Sequence, residues 1–101
     1  MENQNAVLLV ATMDTKSKEV LYLLSCFEEW GIPVLTLDAG IMGESPFPVT
    51  IHRGKVALAG GASLSEVRAL GHEGKALVVM INGATRCAKD LYHEGKIRGI
   101  L

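Results

Sequence analysis

Six consecutive apolar residues, Ala6-Val7-Leu8-Leu9-Val10-Ala11, constrain the fold more than any other feature of this chain. A strand with one wet face alternates apolar and polar residues, because successive side chains point to opposite sides. An unbroken run means both faces are covered, as in a parallel sheet sandwiched between helices. The next residues agree. After a short polar turn, Lys16 to Trp30 carries Val20, Leu23, Leu24 and Phe27 at helical spacing, with Glu19, Glu28 and Glu29 opposite. Phe27 and Trp30 read as core. Gly31 fits the left-handed position after a helix, and Pro33 bars continuation. Val34-Leu35-Thr36-Leu37-Asp38 is a second strand, so a right-handed βαβ unit is expected.

The stretch from Ala39 to Thr50 holds Gly40, Gly43, Pro46 and Pro48 and reads as a long irregular loop, a kind often functional or mobile. Thr50 is expected to cap a short helix running through Val56 and Leu58 to Ala59, against the preference of Gly54. Gly60-Gly61 breaks the chain, and Ser63 or Ser65 caps a turn or two ending near Gly71. A long helix follows from His72 to His93, with Leu77, Met80, Ile81, Ala84, Ala88 and Leu91 on one face. Gly83 within it permits a close approach by a neighbour. Gly95 ends that helix, and Ile97 to Leu101 begins a third strand. An apolar strand at the end of the chain invites pairing. The expectation is therefore an incomplete Rossmann-like αβα domain, residues 1–101 being its N-terminal part. Its core would be finished by further residues of a longer protein, a partner chain or self-association.

Composition narrows the function classes. The chain has 101 residues, 49% of them hydrophobic and 21% charged, so one packed domain is expected. A net charge of −1 with interleaved signs argues against a nucleic-acid or membrane-surface binder. No apolar run is long enough to span a bilayer and the start does not read as a signal peptide, so a cytoplasmic location is expected. Cys26 and Cys87 show no metal-ligand spacing and read as reduced structural thiols. His52, His72 and His93 lie too far apart to pair as ligands and read as surface or helix-end residues. No catalytic constellation is visible. The first strand–helix turn has no glycine, which excludes the G-x-G-x-x-G mode of dinucleotide binding, and no P-loop is present. A receiver-like phosphoacceptor is disfavoured, since its aspartate belongs on the third strand, here Gly99-Ile100-Leu101.

The candidate site is the first turn. Open α/β sheets bind ligands where strand ends meet helix N-termini. Lys16 and Lys18 fall in the first helical turn, where the helix dipole disfavours cations and an anion would reverse that sign. Lys16 offers an ammonium for a phosphate, and Thr12 and Thr15 offer hydroxyls for phosphate or a hydrated metal. Asp14 would serve Mg²⁺, a ribose hydroxyl or the helix N-cap. Asp38 sits where Rossmann folds place a ribose-binding acid, or else closes an Asx turn.

Several segments also resemble one family. They are Thr12-Met13-Asp14-Thr15-Lys16, Leu35 to Gly43 with its D-x-G core, Ala69-Leu70-Gly71, and Leu91 to Leu101 with its E-G-x-I-x-G pattern. In that order they are similar to the uncharacterised group that includes the N-terminal ATP-binding domain of the plant tobamovirus-resistance protein. Gly54 departs from the family's pattern. The resemblance implies the first of two Rossmann-like subdomains of a larger protein. It also implies ATP, with Mg²⁺, as ligand. Asp14, Thr15 and Lys16 would be site residues, with Asp38 and Gly40 across the cleft. The family's glycine-rich loop after the third strand is not in this sequence. A structural module that forms homo-oligomers is the competing expectation.

Overall fold

The computed structural model describes residues 5–101. Three strands, β1 (Ala6–Ala11), β2 (Val34–Asp38) and β3 (Ile97–Ile100), alternate with four helices. The helices are α1 (Met13–Glu29), α2 (Arg53–Ala59), α3 (Leu64–Ala69) and α4 (Glu73–His93). The sheet is parallel throughout, in the order β2-β1-β3, so the expected α/β fold forms with the long apolar run at its centre. Because β2 and β3 flank β1 on opposite sides, right-handed crossovers send α1 to one face and α2–α4 to the other. Side-chain alternation along β1 follows. Ala6 and Leu8 join Val56, Ala57, Val67, Ala76 and Met80 in the larger core, while Leu9 meets Met13 and Val20.

α1 begins three residues before the expected Lys16. Lys16 instead has non-helical angles (φ −118°, ψ 20°), which set a first turn apart from the main helix. The extra turn is stabilised from elsewhere: Asp38, at the end of β2, accepts the Met13 N–H at 3.2 Å. The N-cap position belongs to Thr12, whose hydroxyl does not cap but bonds to that of Thr15 at 2.8 Å. Trp30 corrects another expectation. It is 65% exposed, because it stands at the C-cap where the chain turns out through Gly31 (φ 71°), and its ring meets that of Phe27 edge to face. Phe27 is half-buried.

The expected cap of α2 also moves. His52, not Thr50, accepts the Gly54 N–H. Thr50 is drawn to β2, exchanging bonds with Thr36 through both backbone and hydroxyl groups, and Ile51 forms a parallel bridge to Leu37. This segment covers the outer edge of β2. Ser63 caps α3 in a full capping box with Glu66, whose carboxyl is held below its usual range by the Ser63 backbone and hydroxyl bonds.

α4 buries Ala76, Met80, Gly83 and Cys87, whereas Leu77 and Ile81 from the expected face are exposed. Small residues are inside because α2 comes so close. A Cβ on Gly83 would lie 1.8 Å from the Val56 carbonyl oxygen, and one on Gly60 2.1 Å from that of Val79. Contact between backbones leaves no room for a leucine at that seam.

Candidate functional site

The carboxyl ends of β1 and β2 open into a cavity of about 600 Å³. Thr12, Asp14 and Thr15 line one wall, Ala39 to Met42 another, and Val67, Arg68, Gly71 and His72 with Glu73, Ala76 and Leu77 of α4 the rest. Four of the residues singled out by sequence, Thr12, Asp14, Thr15 and Gly40, therefore face one space. Asp38 lies directly behind Gly40, only 1% exposed. Lys16 is exposed and does not line the cavity.

Five successive loop residues, Gly40 to Glu44, are each held by a charged side chain. Asp38 Oδ1 accepts the Gly40 N–H at 2.8 Å, closing an Asx turn as well as capping α1. Arg68 donates from Nε to the Ile41 carbonyl at 2.9 Å and from Nη2 to that of Met42 at 2.8 Å. Asp14 Oδ2 accepts the Gly43 N–H at 3.0 Å, and Arg53 Nη2 donates to Glu44 Oε1 at 3.1 Å. Asp14 is thus not the N-cap; it ties α1 to the loop. The loop, irregular in sequence, is pinned by ionic side chains from α1, β2, α2 and α3.

The two carboxylates keep unused capacity. Asp14 Oδ1 and Asp38 Oδ2 are buried without a hydrogen-bond partner among the described residues. Both side chains close on Gly40: a Cβ there would lie 2.7 Å from Asp14 Oδ1 and 3.0 Å from Asp38 Oδ1. Only glycine leaves that space open. Unpartnered carboxylate oxygens are the donors that a hard cation such as Mg²⁺, which keeps several waters, prefers. Among the described residues no group of three or more His, Cys, Asp or Glu forms a closed metal cage.

Sequence reasoning missed Arg68, His72 and Glu73 as cavity residues. Nothing local distinguishes Arg68 from a solvated helix cation; its role rests on carbonyls 26 and 27 residues away. His72 caps α4, its Nδ1 accepting the Lys75 N–H at 3.3 Å, so Nε2 carries the proton in the neutral ring.

Comparison with known proteins gives the lineage. Residues 5–101 match the model described as "Uncharacterised protein family (UPF0261) N-terminal domain". The chain belongs to the UPF0261 family. A UPF0261 protein of Clostridium tetani is 30% identical over 95 residues, covering 94% of this chain and 24% of that protein. One from Brucella suis is 29% identical over 99 residues, covering 98% of this chain and again 24% of the relative. The chain thus spans about a quarter of the length of these UPF0261 relatives. No solved structure matches significantly. No helix among the described residues is long and apolar enough to cross a membrane.

The UPF0261 domain has a second cavity, of about 440 Å³, toward the amino ends of the strands, with Leu35, Lys55, Cys87, Asp90 and Glu94 around it. Burial pushes the Cys87 thiol up from its ordinary value of 9.0, Lys55 opposing and Asp90 reinforcing. A raised folded value means the thiol's contribution to stability is complete below 9.0 and declines as pH climbs toward the folded value. Cys87 should therefore react with iodoacetamide more slowly than half-buried Cys26 at pH 8, and the difference should vanish in urea. Equal labelling of the two in the native protein, followed by peptide mass spectrometry, would contradict this burial.

Proposed function

We propose that this domain is a nucleotide-binding module, with ATP as ligand and Mg²⁺ held at Asp14 and Asp38, acting in the cytoplasm as the first subdomain of a larger protein and without catalysis of its own. The observation that carries this reading is the cavity at the carboxyl ends of β1 and β2, where hydroxyls, the Asp14 carboxylate and apolar surface share one space, with Asp38 directly behind Gly40. Ligands of open α/β sheets bind at such strand ends. Ile41, Met42, Val67 and Leu77 suit a base, while Thr12 and Thr15 suit phosphate oxygens or the water shell of a metal. Mg²⁺ would neutralise carboxylates that otherwise repel a phosphate. The resemblance to the ATP-binding domain of the plant tobamovirus-resistance protein supports the same ligand. Lys16, exposed and next in sequence to the cavity residue Thr15, would meet the phosphate end of a bound nucleotide by swinging inward.

Calorimetric titration of ATP with Mg²⁺ tests the reading, on this chain and on a UPF0261 protein of full length. Saturable binding that Asp14→Ala abolishes and Lys16→Ala weakens about tenfold is the expected result. Unchanged affinity in Lys16→Ala would remove that residue from the site, and no binding by either protein would end the nucleotide reading.

One observation favours a second reading, an interaction module that self-associates. Leu77, Val78 and Ile81 on α4 and Leu58 on α2 are large apolar side chains left in solvent. Sedimentation of the chain at rising concentration distinguishes the two, since this reading requires dimers that Ile81→Lys dissolves.

A further inference from the structure

We infer that the buried guanidinium of Arg53 is a receiving site for a phosphate group, filled here by the side chain of Glu44, which the phosphate displaces. Arg53 opens α2 and is 4% exposed. A cation that deep is costly unless its hydrogen-bonding capacity is met. Here it is met in part. Nη2 donates to Glu44, but Nε and Nη1 are buried with no partner among the described residues. Guanidinium is a planar fork of donors built for groups with several oxygens, and Glu44 presents only one.

The partner itself is unusual. The Glu44 side chain is 81% exposed while that of Arg53 is 5% exposed. A carboxylate so open to water gains little from its ion pair. Glu44 thus reaches a buried charge from solvent, and the route it uses is open to another anion. A phosphate carries more oxygens in more directions than a carboxylate, so it can replace Glu44 at Nη2 and, as the guanidinium turns toward it, take a second of the now buried nitrogens in a bidentate bond. The location agrees. Glu44 directly follows Gly43, which Asp14 holds, and Asp38 holds Gly40 three residues earlier, so the guanidinium and the carboxylates grip one short stretch of the same loop. A metal-bound phosphate carries both charges such a loop would answer. The inference deepens the nucleotide reading by naming the residue that takes the phosphate end, yet its first test needs no nucleotide.

That test is calorimetric titration of inorganic pyrophosphate at low salt into the unaltered protein, Glu44→Ala and Arg53→Lys. Removing the competing carboxylate should tighten binding about two- to fivefold, and should lower the melting temperature of the free protein, whose buried guanidinium loses its partner, a loss that pyrophosphate reverses. Arg53→Lys keeps the charge but loses the fork, and should weaken binding about tenfold. Equal affinity in the unaltered protein and Glu44→Ala, or no binding by either, overturns the inference and leaves a purely structural ion pair. Should Arg53→Lys fail to fold, the Glu44→Ala comparison decides alone. Pyrophosphate binding that responds to Glu44 without any ATP binding keeps the Arg53 site and ends the nucleotide reading. ATP binding indifferent to Glu44 does the reverse.

Discussion

Gly83→Ala is expected to lower the unfolding free energy by about 3 kcal/mol, at the upper end of what overpacking costs in a well-packed core. An added Cβ would lie 1.8 Å from the Val56 carbonyl oxygen, and a backbone atom cannot yield as the tip of a flexible side chain does. α2 and α4 would have to part, opening the larger core around Val56, Ala57 and Met80. Alanine is the better helix former by about 1 kcal/mol, so the loss measured is net of that gain. Gly60→Ala should behave alike, whereas Gly99, with nothing within 4 Å, should accept alanine with little change. Urea denaturation of the three variants is the measurement. A Gly83→Ala protein as stable as the parent would show that the two helices are not in backbone contact.

The second large effect concerns Asp38. Asp38→Ala should cost about 2–4 kcal/mol, because it strips the acceptor from two N–H groups, those of Met13 and Gly40, in a buried place. The first turn of α1 and the start of the loop would loosen together. Asp38→Asn retains an amide oxygen for both donors and should recover most of that stability. What the amide cannot recover is charge. Mg²⁺ should therefore raise the melting temperature of the parent protein and have no such effect on Asp38→Asn. If the asparagine variant is as unstable as the alanine one, the carboxylate's charge and not its acceptor role holds the turn. If Mg²⁺ stabilises both proteins equally, Asp38 is not a ligand.

These two residues also show what a linear reading can and cannot recover. The strands were legible because their signal is local: Ala6 to Ala11 and Val34 to Asp38 are bounded where the apolar runs end. Thr12, Asp14 and Thr15 could be grouped because strand ends and helix starts have a known relation to one another in α/β sheets, and Gly40 joined them through the family resemblance. The start of α1 was missed since its cap comes from Asp38, 25 residues away. The inner face of α4 was misread for a related reason. Hydrophobicity favours Leu77 and Ile81, but proximity of α2 decides, and proximity selects Gly83 and Ala76. Trp30 carries the strongest core signal of any side chain and is exposed, because a helix end, not a helix face, sets its direction. Arg53 had only a faint local hint, since no acid stands one turn on, where Ala57 is.

The short bridge between Ile51 and Leu37 makes the sheet directional. On the β2 side, Ile51 donates to the Thr36 carbonyl and accepts from Asp38, so those backbone groups are already spoken for. On the far side, β3 pairs among the described residues only with β1, and Ile100 at its end is 59% exposed. Among the described residues, the edge left open to any strand that enlarges this sheet, whichever polypeptide supplies it, is that of β3.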